Sequence, residues 1–223
     1  MIDAIALGKL LAEDIVEDPK EGPCLYPGKF HPPHIGHMKA AIRLTKKDYI
    51  TQVIVIISAK VSPETGNITP EQALSIWKMY LDAHKNMKIQ VRISEYESPY
   101  NDMYAYIQQT PENSTVYVAA GEDEKDDQNY VESLQQEFGS RVKEIKVQEK
   151  DGVISAPHVR TLVQQRDYEK FKEAVPEAAY NRGAAPKIWK MLTSVIPEQQ
   201  PEEQPQPDQQ QTEPVSDEEQ RIN

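Results

Sequence analysis

Seven consecutive residues, "VIVIISA" at 53–59, constrain this chain more than any other stretch. An apolar, largely β-branched run suits a strand covered on both faces, and such strands belong to parallel sheets flanked by helices. The surrounding sequence repeats the theme. Cys24, Leu25 and Tyr26 form a short apolar strand candidate that stops at Pro27 and Gly28, a turn signal. "KIQVRIS", "STVYVAAG" and "VKEIKVQ" read as a third, fourth and fifth strand. Helical spacing falls between them. Met38, Ala41, Ile42 and Leu44 follow the first strand. "ITPEQALSIWKMYL" follows the second, with Thr69 as N-cap and Pro70 at the first helical position. "SPYNDMYAYIQQ" and residues 127–138 supply two more helices, and "SAPHVRTLVQQ", "YEKFKEAV" and "PKIWKMLTSV" predict three short ones at the end.

Strands alternating with helices predict an α/β fold: a doubly wound, Rossmann-like parallel sheet of about five strands with helices on both faces. In such sheets ligands bind beyond the carboxyl ends of the strands, where the strand order reverses. Three domain-level segments follow. Residues 1–22 hold a leading amphipathic helix, with Ile5, Leu7, Leu10, Leu11 and Ile15 at helical spacing, and a linker. Residues 23–196 form the globular domain. Residues 197–223 hold eight acids, one arginine, five prolines and eight glutamines, with Val215 and Ile222 as the only aliphatic residues. That composition does not bury enough apolar surface to offset its ordering entropy, so a disordered tail is expected.

Charge narrows the partners. The net charge is −11, of which −7 lies in the tail, leaving the body at about −4. This argues against sequence-independent binding to nucleic acid or to an anionic membrane. A local basic site for phosphates is compatible with it. No run of 18 apolar residues and no secretory leader pattern are present, and Cys24 is the single cysteine, so a cytoplasmic location is expected. An oligomer remains open.

"GKFHPPHIGH", residues 28–37, crowds three of the five histidines between a strand and a helix. A metal reading places His34 and His37 on one helical face, but Pro32 and Pro33 keep His31 out of the helix, and no neighbouring Cys, Asp or Glu completes a tetrahedral set. A phosphate reading uses the positive end of the helix, close backbone approach at Gly28 and Gly36, and imidazole donors on His34 and His37. A second stretch, "ISAPHVR" at 154–160, follows the fifth strand. There Ser155 can cap the helix that Pro157 begins, and Arg160 lies about one turn in, where a guanidinium can meet phosphates.

These two stretches resemble the G-x-F-x-P-x-H-x-G-H and I-S-x-T-x-x-R signatures of the nucleotidylyltransferase superfamily. In the first, Gly28, Phe30, Pro32, His34, Gly36 and His37 all match. In the second, Pro157 stands where the family usually has threonine, which removes a hydroxyl and a backbone donor. "AAGEDE" is similar to the family's G-x-D turn, which assigns Gly121 and Asp123 to the nucleotide's ribose or base. "SAKVSPETGNITPEQ" resembles the loop after the second strand, with Lys60 as a phosphate or acceptor contact. The resemblance covers residues 23–180. It implies attack by an acceptor phosphate on the α-phosphate of a nucleoside triphosphate, with loss of pyrophosphate. His34, His37 and Arg160 would be catalytic. Lys29 and Arg160 would hold β/γ oxygens, the backbone at 28–30 and Ser155 would help bind nucleotide, and Mg²⁺ would bridge phosphates largely through waters. ATP with nicotinamide mononucleotide as acceptor is the first expectation. Pantetheine phosphate, flavin mononucleotide, sugar or alditol phosphates, and cytidylyl transfer are alternatives. A non-catalytic nucleotide-binding or interaction protein is a further one.

Overall fold

The computed structural model describes residues 19–84, 87–121, 125–148 and 154–199 of the 223. The expected leading helix at 3–16, Asp123, and the acidic segment from 200 onward lie outside the described residues. Five parallel strands are present: β1 (Gly22–Gly28), β2 (Ile50–Ile57), β3 (Ile89–Ile93), β4 (Val116–Gly121) and β5 (Val142–Val147). Their order is β3-β2-β1-β4-β5. The chain winds outward from β1 to β3, then crosses back to β4 on the other side of β1. The carboxyl ends of β1 and β4 therefore flank the reversal, where a crevice for ligand forms in folds of this kind.

Helices follow as the spacing predicts: α1 (Ile35–Thr45), α2 (Pro70–Ala83), α3 (Pro99–Gln109), α4 (Lys125–Phe138) and α5 (Ala156–Gln164). Thr69 caps α2 with Pro70 first in the helix; its hydroxyl accepts from the Gln72 N–H and the Gln72 side chain accepts from the Thr69 N–H at 2.9 Å. The C-terminal part departs from expectation in detail. "YEKFKEAV" forms only one α-turn, α6 (Tyr168–Phe171), before a 3₁₀ turn. A further short helix, α7 (Glu177–Tyr180), precedes α8 (Ala184–Thr193). Ordered packing continues to Gln199, whose N–H donates to the Gln164 carbonyl.

Strand alternation sorts the side chains into two cores. Cys24, Tyr26, Val53, Val55, Ile57 and Ala119 face α1, α2, α5 and α8, where Met38, Trp77, Tyr80, Val163 and Leu192 are buried. Leu25, Ile54, Ile56, Val118 and Ala120 face α3 and α4, against Met103, Ile107, Val131 and Leu134. The sheet is thus covered on both faces, as the β-branched run requires.

One polar contact ties the second face to a loop at the crevice. Arg92, on β3, donates through both terminal nitrogens to the carboxylate of Asp102 on α3, and the Glu95 N–H donates to the same carboxylate at 3.0 Å. Asp102 is buried, at 4% exposure. Removing one partner of a buried pair strands the other charge and costs about 3–5 kcal/mol. Arg92 retains some solvent contact, so a smaller loss is expected. Asp102→Ala should lower the melting temperature by about 5–10 °C, given about 2–4 °C per kcal/mol for a domain of this size. A change below about 2 °C in differential scanning calorimetry would contradict this role.

Candidate active site

The turn between β1 and α1 is shaped by Phe30. Its φ of 51° lies in the left-handed region, which bulky residues rarely enter. The turn directs the ring into the first core, where it meets Tyr26, His37 and Trp77 edge-on at centroid distances of 5.2, 5.0 and 5.5 Å. The ring also explains Gly28: a Cβ there would stand 2.7 Å from the Phe30 ring. Phe30 is 3% exposed, so its side chain is core and only its backbone can meet a ligand. From α2, the buried Tyr80 hydroxyl donates to the Pro33 carbonyl at 3.1 Å and holds the loop from below.

The two signature histidines cap α1 reciprocally. His34 is the N-cap, and its Nδ1 accepts the Gly36 N–H at 3.1 Å. His37, three residues on, accepts the His34 N–H on its own Nδ1 at 3.2 Å. Imidazoles here take the parts that a hydroxyl and a carboxylate play in the usual capping box. The rings lie 3.7 Å apart, centroid to centroid. A nitrogen that accepts a backbone N–H carries no proton, so each neutral ring bears its proton on Nε2. Burial, and then the proximity of His34, holds the His37 pKa well below the ordinary histidine value. His37 is therefore a neutral Nε2–H donor at physiological pH.

The second signature meets the first. Ser155 caps α5 and its hydroxyl accepts the His158 N–H at 3.3 Å, as the sequence predicts. Arg160 then reaches from α5 to donate through one terminal nitrogen to the His31 carbonyl at 2.6 Å. The loop after β2 packs on the stem of the same arginine. Gly66 sits there at φ 72°, and a Cβ on it would stand 2.9 Å from the Arg160 Cδ. Three segments distant in sequence thus meet at one arginine side chain.

The helix starts themselves are largely spent. Within α1 the Gly36 N–H is bonded to His34. Within α5, Pro157 has no N–H and the His158 N–H is taken by Ser155. These helix starts cap themselves, and side chains are left as the main donors.

Gly36 is buried within the first turn of α1, and Gly121 closes β4 in a buried position. Lys29 and Lys60 are exposed. Both line a cavity of about 370 Å³ at the ends of β1 and β2, with Gly28, Ser58, Ser98 and Tyr100. Its volume lies within the range of small-molecule sites, roughly 300–1,000 Å³. The loop at 95–98 forms one wall and is held by the Ser58 hydroxyl, which donates to the Glu97 carbonyl at 3.3 Å. Ser58, Tyr80 and this loop are not among the residues expected from sequence. Their positions just past strand ends were a usable signal for Ser58 and the loop, whereas Tyr80 reads as ordinary helix core. Among the described residues no cluster of three His, Cys, Asp or Glu could hold a metal, and no helix is long and apolar enough to cross a membrane.

His31 stands apart from the other two signature histidines. It is 1% exposed, and among the described residues neither ring nitrogen has a hydrogen-bond partner. Burial first, then the charges of Arg160 and Lys29, push its pKa down to about 4.

Solved structures share this fold. A Plasmodium falciparum nicotinic acid mononucleotide adenylyltransferase complexed with NaAD matches at a TM-score of 0.53 and 12% identity, over 76% of this chain and 98% of that one. The same enzyme complexed with APC matches at 0.55 and 15%, over 76% and 98%. A bifunctional NMN adenylyltransferase/ADP ribose pyrophosphatase from Francisella tularensis matches at 0.55 and 13%, over 78% of this chain and 53% of that one, so this chain spans about half of that protein. No protein-family model and no curated protein matches the sequence. At these identities the likeness is one of fold, and the fold is the one that the two signatures imply.

The buried histidines predict the pH response. The unfolded chain binds protons at His31 below its ordinary pKa of about 6.5, whereas the folded chain binds one there only near pH 4. The unfolded state holds more protons in that window, so stability falls as pH falls. Between pH 7 and 4.5, His31 accounts for a loss of about 2–3 kcal/mol. Urea unfolding at the two pH values should show a loss smaller by that amount in His31→Leu than in the unaltered chain. Equal losses would contradict the assignment.

Proposed function

We propose that this chain is a nucleotidylyltransferase that transfers AMP from ATP to a phosphate-bearing acceptor, with nicotinamide mononucleotide as the first candidate. The observation that carries this reading is the direct bond between the two signatures: the Arg160 guanidinium rests on the backbone of the loop that ends in His34 and His37. Two motifs 129 residues apart would have no need to meet if each were merely a helix start. The fold shared with adenylyltransferases is consistent with it.

In this reading the triphosphate lies between α1 and α5. His34 and His37 present Nε2–H donors to the α-phosphate, and Arg160 and Lys29 hold the β and γ oxygens. An oxygen of the acceptor phosphate attacks the α-phosphorus. The new P–O bond forms as the bond to the β-phosphate oxygen breaks, and the electron pair leaves on pyrophosphate. No proton needs to be removed from a phosphate that is already anionic, so the protein contributes positioning and charge stabilisation. Neutral, buried imidazoles suit that role, because fixed donors in a dry site stabilise charge that grows in the transition state.

Mg²⁺ would enter with the triphosphate, held by phosphate oxygens and water. Bound in that way, it would offset the charge on the phosphates. The Francisella tularensis protein has also been solved complexed with AMP and a manganese ion.

The acceptor would occupy the cavity beside Lys29 and Lys60, with its phosphate toward those cations and its organic part against Tyr100 and the loop at 95–98. Gly121 and, by resemblance, Asp123 would stand near the nucleotide's ribose or base. Among domain-level readings, residues 23–196 would carry the reaction, and the leading helix and acidic tail would not.

Pyrophosphate release with ATP, Mg²⁺ and a panel of phosphorylated acceptors tests the proposal. The unaltered chain should turn over, best with nicotinamide mononucleotide among the acceptors named above. His37→Ala should lower kcat by about 10²–10³-fold while changing the Kd for ATP much less, as expected for loss of one preorganised donor. Absence of pyrophosphate with every acceptor, or an unchanged kcat in His37→Ala, would sink the corresponding claim.

A further inference from the structure

His31 occupies a variable position of the first signature, between Phe30 and Pro32, and the proposed chemistry gives its side chain no role. A neutral imidazole always carries one N–H and one lone pair. In this loop both are buried, and both ring nitrogens lack a partner among the described residues. Buried polar groups are hydrogen-bonded as a rule, so an imidazole with both ends unmet points to a partner that arrives later. The surroundings indicate its charge. The Arg160 guanidinium lies on the carbonyl of this same residue, and the positive charges of Arg160 and Lys29 both act on the ring. A cationic partner is disfavoured there. An anion bearing oxygen acceptors meets the ring's N–H and both cations together.

We propose that His31 is a third imidazole of the phosphate site, donating a ring N–H to a terminal oxygen of the bound polyphosphate. The inference rests on the phosphate site of the proposed function and adds a residue to it. Arg160 is the gate. A polyphosphate draws the guanidinium off the His31 carbonyl and onto its own oxygens, and the contact that ties α5 to the loop is exchanged for contacts from both sides to one anion. Arg160 and His31 then act on the β/γ end, while His34 and His37 act on the α-phosphate. The division follows from position: His34 and His37 are pinned by Nδ1 to the backbone of α1, whereas the His31 ring has no such anchor.

A structural role and a ligand role for His31 predict opposite outcomes. If the ring only fills space with unmet polar atoms, a leucine of similar size serves as well or better, and ligand binding does not notice. The test is titration calorimetry with tripolyphosphate on the full chain, for the unaltered protein, His31→Leu and His31→Gln, with thermal unfolding of each without ligand. His31→Leu should melt no lower than the unaltered protein, yet bind tripolyphosphate about 10-fold or more weakly, the loss expected for one hydrogen bond to a charged group. His31→Gln, which keeps an N–H donor, should recover part of that affinity, and it carries the test if the leucine variant fails to fold. Binding of AMP should be nearly unaltered in both. Tripolyphosphate affinity within twofold of the unaltered protein in both variants, or no binding of tripolyphosphate by the unaltered protein, would overturn the inference. Tripolyphosphate has no adenylyl group, so the two claims separate. A chain that binds it through His31 but releases no pyrophosphate from ATP would retain this inference and lose the proposed function.

Discussion

The reciprocal cap on α1 is the contact from which the rest of the site follows. A helix start attracts anions because its first N–H groups are unpaired and its dipole is positive there. In this chain His34 occupies the Gly36 N–H, and His37 occupies the His34 N–H. The positive end of the helix is not lost by this. It is handed through each ring, from a backbone donor on Nδ1 to a proton on Nε2. Hydrogen-bonded chains polarise one another in this way, and a ring that accepts on one nitrogen becomes a better donor on the other. The cap thus fixes the tautomer of each neutral ring, the one that the proposed phosphate site would use.

The cap depends in turn on the core beneath it. His37 rests edge-on against Phe30, which is wedged against Tyr26 and Trp77. Phe30 reaches that position only through a left-handed backbone, and Gly28 is needed to leave room for the ring. Such a conformation costs on the order of 1–3 kcal/mol and persists because the surrounding packing determines it. Tyr80, from the next helix, closes the arrangement with its bond to the Pro33 carbonyl. The geometry of the two imidazoles is therefore set by aromatic residues of the core, and the rings themselves are buried.

Much of the sheet was legible in the sequence because its strands carry their own signal. The β-branched run at 53–57 could be covered only on two faces, and it is. Thr69 and Pro70 announced the start of α2 by local chemistry, and Ser155 announced the start of α5. The short C-terminal turns were less legible, since the apolar spacing of "YEKFKEAV" fits one long turn of helix or two different ones. The site was half visible. His34, His37 and Arg160 could be named from their motifs, but the capping partners, the bond from Arg160 to His31 and the burial of His31 depend on contacts between distant segments. Arg92 and Asp102 show the same limit. They are ten residues apart, on a strand and a helix, and no periodicity brings them together. Asp123 lies outside the described residues, so its expected place near the nucleotide rests on the G-x-D resemblance alone.

The central claim is that one polyphosphate site is built from the capped start of α1 and the guanidinium of α5. A crystal structure with Mg²⁺ and a non-hydrolysable ATP analogue tests it most directly. The account predicts the α-phosphate within hydrogen-bond distance of Nε2 of His34 and His37, both Nδ1 atoms still on the backbone of α1, and Arg160 on the terminal phosphates. A triphosphate bound away from α1, or imidazoles turned so that Nδ1 faces the ligand, would contradict it.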